Sequence, residues 1–244
     1  MSGATQSLLV VVGRESESQD SLRKAVILAR HLGAQVDVFL CESEPATAAS
    51  EASAHRILDA LRGSITADDV RIATGWAGGT SLWDGIAGRM ALRRTCLVLR
   101  SIAGAAASGR ARATGAEREL MRRCAVPLWL ARRAAWAPRP RFAVDSASAD
   151  CASTAAWIRS AMHLAETVAR GCRADIELAK GADAGAIDAL FVPSSGAGDG
   201  AAVARAEGLF QQVDCDLVLV PPAGADGAAP SWVSLDRVAR AVSS

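Results

Sequence analysis

A segment near the start of the chain returns near its middle. Gly33-Ala-Gln-Val-Asp37-Val-Phe-Leu40 aligns without a gap on Gly171-Cys-Arg-Ala-Asp175-Ile-Glu-Leu178. Leu97-Val98-Leu99 then corresponds to Leu190-Phe191-Val192, and Leu128-Trp129-Leu130 to Leu217-Val218-Leu219. An internal repeat makes the fold two copies of one pattern of elements, and no single-copy architecture fits it. The copies are unequal. Between matching points the first has 64 residues (Gly33 to Leu97) and the second 19 (Gly171 to Leu190), a shortfall of 45. That is the length of one helix–strand–helix piece, so the second copy is expected to lack its centre and keep about four strands and two main helices.

The elements within each copy alternate. Leu8-Leu9-Val10-Val11-Val12 is a continuous apolar run, as in a strand buried on both faces of a parallel sheet. Leu22, Ala25, Val26, Ala29 and Leu32 recur at helical spacing behind the capping candidates Ser18 and Asp20, and Gly33 supplies the stop. Strands follow at 36–40, 69–76, 96–99 and 128–130, separated by helices at 51–63, 80–93 and 116–124. Residues 131–140, ending Ala-Pro-Arg-Pro, have a linker composition. The pattern then restarts with a strand at 142–145 and a helix at 153–170 that Gly171 is expected to stop. Strand–helix alternation with short crossovers implies a parallel, right-handed α/β sheet. The predicted domains are 1–133, a truncated 134–222, and a linker with a C-terminal amphipathic helix over 223–244.

Composition narrows the function classes. Half of the 244 residues are apolar and the net charge is +1, so overall charge does not drive binding to nucleic acid or membranes. Twenty-five arginines stand beside two lysines, Lys24 and Lys180, the mark of a GC-rich coding sequence. Residues 1–137 carry +5 and residues 138–244 carry −4. Six scattered cysteines form no Cys-x-x-Cys pair, and His31, His55 and His163 lack zinc-ligand spacing. No metal is expected. The N-terminus has no signal pattern and no apolar run approaches a membrane span, which predicts a cytoplasmic chain with reduced cysteines.

The order and spacing of these elements resemble the universal stress protein family, in its tandem-domain (E-type) form. The residues that carry the likeness are Leu8–Val12 with Ser21–Leu28, then Leu97–Arg100, and above all Leu120-Met-Arg-Arg-Cys-Ala-Val-Pro-Leu-Trp-Leu130. Ala206-Glu207 and Cys215–Val220 resemble the family's last helix and strand, with Asp216 where a proline usually follows the cysteine. The resemblance implies two tandem flavodoxin-like (adenine nucleotide alpha hydrolase-like) doubly wound domains, the second truncated, paired as an intramolecular pseudo-dimer. It implies a non-catalytic role in stress adaptation, through a protein partner or small ligand.

ATP-binding members carry a Gly-x-x-Gly-(nine)-Gly-Ser/Thr loop after the fourth strand, because glycines let backbone N–H groups close on phosphates at a helix start. Here that loop reads Ser101-Ile-Ala-Gly104, nine residues, then Thr114-Gly115. The candidate nucleotide or anion residues are therefore Arg100, Ser101, Gly104, Gly109 and Thr114, against the plain alternative of a relic loop of small residues. The family's first-strand aspartate is Gly13, while Asp145 ends the matching strand of the second copy, where Asp199 intrudes on a shortened loop. Neither copy holds a complete set, so the expectation is no cofactor, with ATP as the alternative ligand. Eleven arginines between Arg89 and Arg133 give a local +9 that would steer an anion or RNA. No aromatic residue lies between 89 and 128 to stack bases, and a solvated helix face explains most of that charge. The cysteines read as buried small hydrophobes, with Cys41 and Cys151 the loop positions where redox sensing would sit. Asp68-Asp69 and Asp214/Asp216 flank strands away from the carboxyl ends where ligands gather. The helical spacing of Trp232, Val233, Leu235, Val238, Ala239 and Val242 predicts a segment that docks on the cover-poor second copy. A monomer is expected if the two copies satisfy each other, and a homodimer is the alternative where that cover is missing.

Overall fold

All six residues of Ser7–Val12 (β1) are buried, as the unbroken apolar run Leu8–Val12 requires. In the computed structural model the described residues are 6–14, 18–65, 69–102, 113–132, 135–146, 152–180, 187–194 and 200–221. After β1 come Ser18–Leu32 (α1), Gln35–Glu42 (β2), Ala48–Gly63 (α2), Ile72–Gly78 (β3), Leu82–Leu92 (α3), Thr95–Ser101 (β4), Gly115–Arg123 (α4) and Leu128–Ala131 (β5). A second series follows as Arg141–Asp145 (β6), Ala152–Cys172 (α5), Asp175–Ala179 (β7), Ala189–Pro193 (β8), Gly200–Gln212 (α6) and Asp216–Val220 (β9). Among the described residues the second series has four strands and two helices, the number expected from the shortfall.

The nine strands form one sheet in the order β3-β2-β1-β4-β5-β9-β8-β6-β7. Neighbours are parallel throughout, except that β5 and β9 run antiparallel, with Trp129 opposite Val218. Each series is thus a doubly wound sheet, and the two meet edge to edge at β5–β9. Helices cover both faces. On one face α1 packs on α5; on the other α4 packs on α6. The α/β fold class is therefore observed as expected.

The repeat is present, but its register differs by two residues from the ungapped match. Gly33 ends α1 in the left-handed region (φ 60°), whereas α5 runs through Gly171 and ends at Arg173 (φ 55°). The same backbone bond closes each helix, from Ala34 N to Ala29 O and from Ala174 N to Ala169 O, both 3.0 Å. The next strand then starts two residues after each turn, with Ser7 opposite Gln35 and Arg141 opposite Asp175. The physical reason lies in the packing of α1 on α5. A Cβ on Gly171 would sit 2.2 Å from the His31 ring, so this glycine serves close helix approach and a non-glycine takes the left-handed turn.

A second departure concerns residues 131–140, expected as a plain linker. Ala131 still belongs to β5, and the segment after it is tied down by two buried aspartates. Asp216 accepts from the Arg132 amide (2.8 Å) and from Trp136 Nε1 (3.1 Å). Asp188 accepts from the amides of Ala137 (3.2 Å) and Arg141 (3.0 Å). The third departure is β3, expected at 69–76 and found at 72–78. Asp69 lies before it and chelates Arg30 of α1 at 2.7 and 2.8 Å.

The missing centre of the second series leaves a mark. β2 is flanked by β3 and covered by α2, and Val38 and Leu40 are buried. β7 ends the sheet, and its Leu178 is 63% exposed. Trp232–Val242, expected to dock there, lies outside the described residues. Among the described residues no helix is long and apolar enough to cross a membrane.

Candidate functional site

In an open α/β sheet, ligands gather at the carboxyl ends of the strands where the strand order reverses. Here such a crevice lies between β1 and β4, and its counterpart between β6 and β8. The first collects Gly13 and Arg14 after β1, Cys41 and Glu42 from β2, Arg100 and Ser101 from β4, and the start of α4.

Of the anion candidates, Gly104 and Gly109 lie outside the described residues, as do Arg110 and Arg112. Thr114 is the N-cap of α4. Its hydroxyl accepts from the Glu117 amide at 3.3 Å, and the Glu117 carboxylate accepts from the Thr114 amide at 2.7 Å. This is a capping box, with two donors of the helix start satisfied reciprocally. Glu117 is only 4% exposed, and its other oxygen stands 3.7 Å from Arg100 Nε as an ion pair. Burial pulls the Arg100 guanidinium below its ordinary value, and Glu117 opposes that shift. Arg100 Nε is itself buried and makes no hydrogen bond. The helix start and its cation thus already face an anion, and that anion is a side chain of the protein.

Over the ends of β1, β2 and β3 a second set of groups is interlocked. Arg14 is paired with Glu42, its Nη2 donating at 3.0 Å, and also donates to Ser53 Oγ at 3.2 Å. Trp76 Nε1 donates to the same carboxylate at 3.3 Å. These bonds hold the Glu42 carboxyl below the usual carboxylate range. Cys41 lies under α3, where a Cβ on Gly85 would come within 2.4 Å of its sulfur. Burial raises its pKa, more than Arg100 lowers it.

In the second crevice Asp145 is wholly buried at the end of β6. Arg205 of α6 grips its Oδ2 with Nη2 at 2.6 Å and Nε at 3.1 Å. By the observed register, Asp145 corresponds to Val11 of β1, two residues before Gly13. Its carboxylate points into a guanidinium on the helix side. Asp199, in the loop before α6, lies outside the described residues.

The arginine stretch resolves into separate duties. Arg89 donates to Asp37 at 2.6 and 2.8 Å and to Thr74 O at 3.1 Å, in contact with Gly75, where a Cβ would collide with it. Arg118 pairs with Glu207 across α4 and α6 (3.3 Å). Arg123 pairs with Glu119 (2.9 Å) and stacks over Trp83. Arg132 is buried over the Phe210 ring and donates to the Phe210 carbonyl. Arg93, Arg94 and Arg122 are exposed. Of the eight described arginines of the run, Arg89, Arg100, Arg118 and Arg123 are thus held in ion pairs and Arg132 on backbone carbonyls.

Sequence reasoning missed a buried carboxylate on which four donors converge. Asp216, at 0% exposure, accepts from Lys24 Nζ (2.7 Å), Trp129 Nε1 (3.0 Å), Trp136 Nε1 (3.1 Å) and the Arg132 amide (2.8 Å). It joins α1, β5 and the 132–136 segment to β9. The available signals were Asp216 in the place of a proline, and a lone early lysine in a chain that otherwise uses arginine. Among the described residues no cluster of three His, Cys, Asp or Glu could hold a metal.

Three solved structures share this arrangement. One is a protein assigned to the universal stress proteins from Pseudomonas aeruginosa UCBPP-PA14, with TM-score 0.69 and 14% identity over 97% of this chain and 98% of that one. Another, of unknown function from Pseudomonas aeruginosa PAO1, gives TM-score 0.63 and 15% identity over 98% of each chain. A universal stress protein from Archaeoglobus fulgidus DSM 4304 gives TM-score 0.63 and 10% identity, over 88% of this chain and 98% of that one. The chain has the fold of these proteins. In the two Pseudomonas structures the likeness extends over both series of strands. At these identities it establishes the fold alone. No family model matches the sequence, and no curated protein does.

Proposed function

We propose that this chain is a non-catalytic universal stress protein of tandem form, acting in stress adaptation through a protein partner or small ligand. In this reading its two nucleotide crevices are degenerate. The observation that carries it is Glu117. A buried carboxylate caps α4 and faces Arg100, where an ATP-binding relative would place phosphate. A nucleotide phosphate would meet like charge there, at a cost on the order of 1–4 kcal/mol depending on screening. It would also have to displace the capping bond. In the second crevice the Asp145–Arg205 pair plays the equivalent part, since the carboxylate is already engaged.

Equilibrium dialysis against labelled Mg-ATP, with a phosphate-release assay on the same sample, tests the proposal. The expected result is no retention at low-micromolar nucleotide and no release above background. A dissociation constant below about 10 μM, near −7 kcal/mol of binding, contradicts it. The rival reading is an adenine-nucleotide sensor, and it draws on Arg100 Nε, a buried donor without a hydrogen bond. In the same dialysis that reading requires retention that falls when Arg100 is replaced by glutamine.

A further inference from the structure

Away from both crevices, α1, the end of α5 and the 135–140 segment enclose a cleft of about 440 Å³. That volume lies within the range of small-ligand sites, about 300–1,000 Å³. Its apolar walls are Ile27, Trp136, Pro138 and Pro140, and Asp20 and Arg23 stand at its rim. We infer that this cleft is a binding site for a small planar aromatic molecule bearing an anionic edge.

The wall is built before any ligand arrives. Trp136 Nε1 is fixed on Asp216, the Ala137 amide on Asp188, and Lys24 Nζ stands 5.6 Å from the Trp136 ring centre. A wall held by two buried carboxylates loses little freedom on binding, which is what favours affinity at small contact area. Trp136 is itself packed on Trp129 and Phe142, at 5.5 and 5.6 Å between ring centres, so what it and the two prolines leave to the cleft is a rigid apolar wall for an aromatic ring to lie against. The floor is set by the close approach of α1 and α5 at Gly171.

The rim supplies the polar choice. Arg23 is 71% exposed, and its pair with Asp20 one helical turn earlier is long, at 3.3 Å. Exposed pairs of this kind hold weakly, so the guanidinium can turn to a bound carboxylate, which it grips by two parallel hydrogen bonds. Lys24 is engaged by Asp216 and so adds little net charge to the cleft. The inference is independent of the nucleotide reading, because no residue of the cleft belongs to either crevice.

The test is a fluorescence-anisotropy titration of 2-naphthoate with the full-length protein. A ligand of that size is expected to bind with a dissociation constant of roughly 20 μM to 1 mM. The uncharged 2-naphthamide is expected to bind at least about threefold more weakly, and Asp20→Asn to tighten 2-naphthoate about threefold by releasing Arg23. Arg23→Gln on the exposed rim is expected to weaken it about tenfold. Ile27→Glu, at a partly exposed position, is expected to abolish saturation while the circular dichroism spectrum stays that of the wild type. No saturation by about 5 mM overturns the proposal. So does binding that neither Arg23→Gln nor Ile27→Glu alters. Equal affinity for the acid and the amide overturns the anionic edge.

Discussion

Asp216 shows what a single buried charge does when four donors converge on it. Its four partners come from α1, β5 and the segment after β5, so removing the charge leaves Lys24 buried without its anion. Breaking one side of such a pair costs about 3–5 kcal/mol. Asp216→Asn is therefore expected to lower unfolding stability by about that amount in urea titration. A loss under roughly 1 kcal/mol would show the network to be ornamental. This residue was not legible in the sequence, because its partners are 80 to 192 positions away and only the fold brings them together. Thr114 and Glu117 are the opposite case. A threonine three residues before a glutamate is the written form of a capping box, although Thr114 is read in the sequence as part of an anion loop, and the structure makes both bonds of the box. What the spacing alone did not show was that Arg100 shares the same carboxylate. Asp145 was legible as a strand-end acid, but its partner Arg205 was not, 60 residues further along on another helix.

At the level of elements, the strands were legible wherever both faces are buried, since β1, β4, β5, β8 and β9 each contain a run of three or more consecutive apolar residues. β3 was placed three residues early because its residues are only half-buried and Thr74 and Gly75 interrupt its apolar ones, so neither run nor alternation marks its start. The end of α5 was misplaced because a glycine in the sequence does not reveal whether it serves a turn or a contact. Gly171 serves a contact. Gly171→Ala would drive a methyl group into the His31 ring and part α1 from α5, an overpacking cost of about 1–3 kcal/mol. Thermal unfolding of that variant is expected to come several degrees early, and an unchanged midpoint would refute the packing role. His31 adds a pH dependence. Burial, aided by Arg30, holds its pKa below 6.5 in the folded state. The folded state then prefers the neutral ring. Its stabilising contribution is full above the unfolded value of about 6.5 and is lost as pH falls through that value toward the lower folded one. The melting temperature of the wild type is expected to decline between pH 7 and pH 5 more steeply than that of His31→Gln. Parallel curves would contradict this.

The strands of the described residues form one sheet whose strand direction reverses once, at β5–β9. A five-strand and a four-strand series are sealed by β5–β9, by α1 on α5 and by α4 on α6. Its overall design was legible because a repeat and a shortfall can be counted. The seam was not, since nothing local to β5 or β9 announces an antiparallel partner. With a buried ion pair crossing the seam, the two series are expected to unfold together. Far-ultraviolet circular dichroism and tryptophan fluorescence should give coincident urea transitions, whereas two separated transitions would show that the series are independent. The central claim, that internal groups already occupy the nucleotide crevices, is tested most directly by the melting temperature in millimolar Mg-ATP. A ligand at one hundred times its dissociation constant adds about 2.7 kcal/mol, or roughly 5–11 °C for a chain of this size. The account predicts a shift under about 1 °C at 1 mM Mg-ATP, and an upward shift of 5 °C or more would contradict it.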